Sequence, residues 1–187
     1  MDFYLALGTC ALSAKMTKSY KPKLGKKVFI DQSATVMGRV KIDDYSSVWP
    51  GCVLRGDINR ISVGKYTNIQ DLSLLHVETN RACKIGSYVT VGHQVNLHAC
   101  TIKDKCLIGI GSIVLDGAVI GEGVLLGAGS LVTHGQRLKP ESLYFGRPAK
   151  FVRKLTKKEV NGLKKWAMRY VGYAKDHMAR KISKNCK

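Results

Sequence analysis

Acidic residues are scarce in this chain of 187 residues: 13 Asp and Glu stand against 31 Lys and Arg, for a net charge of +18. The excess is uneven. Residues 28–152 carry a net +3, residues 15–27 a net +6 and residues 153–187 a net +10, so a nearly neutral body has basic flanks. Such flanks are solvated surface, or they attract anionic lipid, nucleic acid or an acidic protein. No basic patch interleaved with aromatics is present along the sequence, which argues against specific nucleic-acid recognition. No stretch approaches the ~20 apolar residues of a membrane span. The six cysteines (Cys10, Cys52, Cys83, Cys100, Cys106 and Cys186) form no CxxC pair and no zinc-finger spacing. They read as buried or free thiols of a reducing compartment. The apolar run 3–14 has the length of a secretory core segment, but it follows Asp2 where a basic segment is needed, so the expected location is cytoplasmic.

What the chain does have is a ladder with a step of six. Ile30, Val36, Ile42, Val48 and Leu54 open it. Val63, Ile69 and Leu75 follow after a three-residue slip, and Ile85, Val91 and Leu97 after a four-residue insertion. Ile102, Ile108, Val114, Ile120, Leu126 and Val132 complete it, one residue early. A step of six fits neither a helix nor simple strand alternation. It is the mark of a parallel β-helix in which each hexapeptide is one short side and a corner, and three sides make a coil. The fold class expected is all-β, a β-helix of about six coils. Gly64, Gly86, Gly92, Gly109, Gly121 and Gly127 each follow a ladder residue, where a corner is expected to need unusual backbone angles.

Residues three ladder steps apart then stack about 4.8 Å apart, as neighbouring strands do. His76 and His98 each follow their ladder residue and stack on one outer edge, with Arg55 beneath and Leu115 above, where the polar column stops. Two imidazoles so placed share one metal ion. His93 lies on the preceding side, five residues before His98, with a corner between them. One chain therefore has difficulty bringing His93 to the same metal, whereas a second copy does so by pressing its His93 edge on the His76–His98 edge. Those surfaces differ, so the contact is heterologous and closes into a ring, threefold for a triangular prism. Asp71 lies one coil below His93, placed to orient its ring. Three imidazoles with an open fourth position match a catalytic zinc site, where bound water is acidified to a pKa of about 7.

The runs Val53-Leu54-Arg55-Gly56-Asp57, Thr67-Asn68-Ile69-Gln70-Asp71, Leu75-His76-Val77, Gly92-His93 and Leu97-His98 resemble the γ-class carbonic anhydrase family. Gly109-Ile110-Gly111-Ser112, Gly127-Ala128-Gly129-Ser130 and Tyr144-Phe145-Gly146-Arg147-Pro148-Ala149 are similar to its bacterial branch. The likeness runs from about Ser19 to Lys175. It implies a left-handed β-helix with a C-terminal helix, assembled as a homotrimer. It also implies zinc (iron or cobalt in some members) held by His76 and His98 of one subunit and His93 of the next. Arg55 and Asp57 would form an ion pair at the trimer interface. Gln70 and Asn68 would position a metal-bound hydroxide and carbon dioxide or bicarbonate, and Tyr170 would correspond to a tyrosine near the metal. Two departures stand out: Ile58 occupies the place of an expected proton-relaying glutamate, and the short loop after His76 has Glu78 as its one acid. The resemblance thus implies a reversible hydratase of carbon dioxide whose rate is limited by a missing acidic relay.

After Pro148 the period changes. Thr156 and Glu159 form a capping box, and Val160, Leu163, Ala167, Tyr170, Val171 and Ala174 recur at helical spacing, predicting an amphipathic helix over 157–178. The expected organisation is an extension or misassigned start over 1–18, a hexapeptide β-helix over 19–150, and a helix with a frayed basic tail over 151–187. Two other functions compete. Hexapeptide β-helices include CoA-dependent acyltransferases, but these need one histidine as base, not three converging. A metal-stabilised trimeric scaffold without turnover is the other. His134 and His177 fall outside the constellation and read as ordinary surface residues.

Overall fold

A computed structural model describes residues 20–179; the expected N-terminal extension and frayed tail lie outside these residues. The ladder becomes a three-sided parallel solenoid. One side pairs Leu54 with Leu75, Leu75 with Leu97 and Leu97 with Val114. A second pairs Val63 with Ile85, Ile85 with Ile102 and Ile102 with Ile120. A third pairs Val48 with Ile69, Ile69 with Val91 and Val91 with Ile108. Most sides are strands of two or three residues, and the chain steps up one rung per coil. The six-residue step continues past Val132 to Leu138 and Tyr144, both buried.

Every ladder side chain from Ile42 to Leu138 points inward and is buried. Burial of each Leu or Ile is worth about 1.5–3 kcal/mol, and the column of them is the core. Cys52, Cys83, Cys100 and Cys106 are free thiols inside it. Burial pushes the Cys106 thiol up to about 12, so it stays protonated and packs as a small apolar group.

The glycines that follow the ladder are needed for a different reason from the one expected. None of Gly64, Gly86, Gly92, Gly109, Gly121 and Gly127 has a positive φ. A Cβ on Gly109 would instead lie 2.5 Å from the Ala128 nitrogen, and one on Gly121 2.7 Å from the Pro140 nitrogen. The next rung passes too close for a side chain. Left-handed backbone falls two residues later, at Gly111, Gly123 and Gly129 in the upper coils and at Tyr45, Tyr66, Tyr88 and Gln94 below. Tyr45, Tyr66 and Tyr88 stack there in one column, with centroids 5.2 and 4.9 Å apart, so their ring contacts offset part of the strain.

The chain closes with an antiparallel pair, Ser142–Phe145 against Lys150–Lys154, and then helix α1, Lys157–Ala179. The capping box forms: Glu159 N–H donates to Thr156 Oγ1 at 3.2 Å and Thr156 N–H to Glu159 Oε2 at 2.8 Å. Leu163, Ala167 and Ala174 are the buried stripe of α1, which lies on the third side. Tyr170 meets Trp49 edge-on at 5.6 Å, and His177 packs on Trp49 at 5.1 Å. No helix of the described residues is long and apolar enough to cross a membrane.

Candidate metal centre

The register count for the histidines holds. His76 and His98 are direct partners on adjacent strands Leu74–His76 and Asn96–His98. His76 Nδ1 lies 3.0 Å from His98 Nε2. The two remaining ring nitrogens are both held by carboxylates: His76 Nε2 meets Asp57 Oδ1 at 3.1 Å, and His98 Nδ1 meets Asp116 Oδ1. Burial alone would raise the Asp57 carboxyl, but bonds from the Ile58 N–H, Arg55 and His76 outweigh it and bring the group down to about 2. An ionised carboxylate only accepts, so the proton sits on the histidine nitrogen that faces it. That leaves two imidazole lone pairs facing each other across 3.0 Å. Two nitrogens each about 2.1 Å from one tetrahedral zinc would be about 3.4 Å apart. The donor set therefore fits a divalent metal, with both tautomers fixed from behind as metal-binding histidines require.

Arg55 forms its ion pair with Asp57 within one chain, so the column reads Arg55, Asp57, His76, His98, Asp116. The polar column does not stop at Leu115. The corner after Val114 turns Asp116 back onto His98, a contact missed by reading only the single residue stacked above each histidine. Extending the count to both residues after each ladder position would have found it.

His93 follows Val91 of the third side, the side that precedes the first, as expected. Its Nδ1 lies 3.0 Å from Asp71 Oδ2, one rung below, which leaves Nε2 for a ligand. Gln70 and Asn68 are buried beside it. Gln70 Nε2 donates to Asn68 Oδ1 at 3.0 Å, and Asn68 Nδ2 donates to Thr90 Oγ1 at 3.1 Å. This chain of bonds commits both amide N–H faces and leaves Gln70 Oε1 as an acceptor toward a cleft of about 380 Å³. The cleft is lined by Gln70, His93, Ile108, Ile110, Trp166 and Tyr170, among others. Desolvation, with the nearby Asp71 charge, raises the Tyr170 phenol above its ordinary value, so it remains an O–H donor at neutral pH.

Two half-sites result. Arg55, Asp57, His76, His98 and Asp116 make one; Asn68, Gln70, Asp71, His93 and Tyr170 make the other. A single chain does not join them, and among the described residues no group of three metal-ligating side chains converges. Ile58 is half exposed at the rim of the first half-site. Glu78 bridges back to Arg81 at 3.7 Å and faces no histidine in a recorded contact.

The family model described as "Bacterial transferase hexapeptide (six repeats)" matches residues 99–134. A mitochondrial γ carbonic anhydrase 2 of Arabidopsis thaliana is 45% identical over 162 residues, covering 83% of this chain and 58% of that one. The chain thus spans somewhat over half the length of that relative. Protein YrdA of Escherichia coli is 45% identical over 164 residues, covering 84% of this chain and 89% of that one. A crystal structure of a putative acetyltransferase from Bacillus cereus superposes with a TM-score of 0.83 at 42% identity, covering 86% of this chain and 92% of that one.

Proposed function

The chain belongs to the γ-class carbonic anhydrase family, a left-handed parallel β-helix with a C-terminal helix, and on that premise we propose that it catalyses the reversible hydration of carbon dioxide at metal centres shared between subunits of a homotrimer. The observation that carries this reading is the pair of ring nitrogens, His76 Nδ1 and His98 Nε2, 3.0 Å apart, with Asp57 and Asp116 behind the two rings. His93 of the partner subunit supplies the third ligand, held by its own Asp71. His76, His98 and the partner subunit's His93 would hold a divalent metal, zinc or alternatively iron or cobalt, whose chemistry when bound would be to acidify a water toward neutral pH and to offer positive charge to bicarbonate. Everything else is done by the chain. The apolar wall of Leu107, Ile108, Ile110 and Leu125 suits a nonpolar gas and excludes bulk water. Gln70 Oε1 accepts from the reacting water and so orients it toward carbon. Tyr170, kept protonated, donates to a bicarbonate oxygen.

Stopped-flow hydration by zinc-loaded and by anaerobically iron-loaded protein tests the proposal, with His93→Ala as control. The expected result is a rate above the control with at least one metal, limited by buffer concentration because Ile58 replaces an acidic relay. Equal rates for wild type and control with both metals would sink it. The Bacillus cereus relative is described as a putative acetyltransferase, so acetyl-CoA titration by calorimetry is the companion measurement. Saturable binding there would favour the acyl-transfer reading.

A further inference from the structure

Within the nearly neutral solenoid body, basic residues recur along one side. The outward positions of the second side run Lys23, Lys41, Ser62, Lys84, Thr101, Val119 and Arg137, rung by rung in register. Lys103 and Lys139 stand two residues along, flanking Gly121 in a shallow groove with Arg137 and Glu122. Five acids, Asp43, Asp44, Asp104, Glu122 and Glu141, stand at the corner beside this column, and three of them are already paired with lysines. Asp57, Asp71 and Asp116 hold the site histidines, Asp44 holds Lys65, Asp43 holds Lys41 and Glu122 holds Lys105. Among the described residues, Lys23, Lys84, Lys103, Arg137 and Lys139 form no ion pair, and all are exposed. With rungs about 4.8 Å apart, this column extends about 29 Å. Lys23 and Lys41 are directly opposite on neighbouring strands and repel one another, and an anionic partner turns that cost into attraction.

We propose that this side of the solenoid is a docking face for an anionic lipid surface. Three features favour a bilayer over nucleic acid. The face is a run of short parallel strands without a protruding element to enter a groove. No aromatic ring stands on it to stack a base, since Tyr45, Tyr66 and Tyr88 stack on one another at the neighbouring corner. The basic segment 15–27 enters the described structure on this same face, through Lys23–Leu24 paired with Lys41–Ile42. The sequence preceding it includes the apolar run 3–14, and buried apolar area adds to electrostatic attraction at an anionic bilayer.

Flotation of the full-length protein with phosphatidylcholine vesicles, with and without about one third phosphatidylglycerol, tests the face. Binding is expected only to the anionic vesicles, and it should weaken as salt rises to about 0.15 M. Each lysine near such a surface is worth about fivefold in binding, so the triple variant K84E/K103E/K139E should bind about a hundredfold more weakly or worse. The control K157E/K158E/K165E removes the same charge from exposed positions of α1 and should retain most binding. If the first triple unfolds by melting temperature, the corresponding three Lys→Gln changes serve in its place. Equal loss from both sets, equal binding to both vesicle types, or displacement from the face by duplex DNA at equal charge would each overturn the proposal.

Discussion

One corner of the prism breaks the six-residue step three times, and the other two corners never break it. The steps from Leu54 to Val63, Leu75 to Ile85 and Leu97 to Ile102 all cross the corner after the first side. The first is absorbed by one continuous strand, Val53–Val63, which bends round the corner and pairs with Thr35–Ile42 through a register shift. The second is the short loop closed by the Glu78–Arg81 bridge. The third is taken up at Ala99, whose φ is +45°. Arg55, Asp57, His76 and His98 sit at this one broken corner. A regular repeat can stack but cannot choose; the breaks lift particular side chains out of the repeat and aim them at each other. Departures from local rules gather where function is carried. His93 is the informative exception: it stands at an unbroken corner, and it is the proposed ligand that the single chain keeps away from the other two histidines.

The sharpest test of that contrast mixes subunits. His93→Ala and His98→Ala proteins should each lack a complete site. Refolded together in equal amounts, one chain's His76–His98 edge meets the other chain's intact His93 edge at about a quarter of interfaces, so metal content should rise from near zero to about a quarter of wild type. Metal that stays at the single-mutant level after mixing is verified would mean the unbroken corner does not supply a ligand.

Truncation at the regular rungs should produce the largest loss of stability. Leu126 is fully buried in the unbroken stack, and Leu126→Ala should cost about 2–5 kcal/mol, read as a large drop in melting temperature. Leu74→Ala, at an exposed outward position of the first side, should cost much less in the monomer. A comparable loss there would show that the outer surface of that side is covered in the assembly.

Much of this contrast is legible in the sequence. The ladder predicts the sides, and counting three steps places His76 beneath His98, Asp71 beneath His93, and Arg55 in the same column. Period alone fails where side chains turn through a corner. Asp116 reaches His98 from the residue beyond the stacked one, one position further than the count was carried. The role of the ladder glycines was likewise hidden, because the clash that forbids a Cβ comes from a rung eighteen or so residues away. The basic face was invisible to charge counted along the chain, since its cations come from separate coils far apart in sequence. Handedness came with the family and not from the spacing.

Backbone strain at the unbroken corners offers a finer test, with opposite signs expected at two positions. Gly109→Ala places a Cβ against the next rung's backbone, 2.5 Å from the Ala128 nitrogen, and should cost about 1–3 kcal/mol. Gln94 is exposed and left-handed, with φ +55°. Left-handed backbone costs a non-glycine residue about 1–2 kcal/mol, of which glycine's extra unfolded-state freedom returns about 0.5–1. Gln94→Gly should therefore stabilise by roughly 0.5–1 kcal/mol. If Gln94→Gly stabilises while metal affinity falls, the strain at this corner serves to hold the adjacent His93.

The smallest effect belongs to the helix that carries Tyr170 over the unbroken side. Arg153, the Thr156 N–H and the Thr156 hydroxyl hold the Glu159 carboxyl at about 2, against an ordinary value of 4.5. Because the folded value is depressed, the stabilisation is fully present above pH 4.5 and is lost as pH falls from there through about 2. The group is exposed, so solvent screening keeps the contribution small. Glu159→Gln should slightly lower the melting temperature at neutral pH and remove this part of the acid dependence. Circular dichroism of the helical signal between pH 5 and pH 2 compares the two proteins. Parallel curves for wild type and variant would mean that the capping pair does not set the stability of α1, and that its packing through Leu163, Ala167 and Ala174 on the third side does.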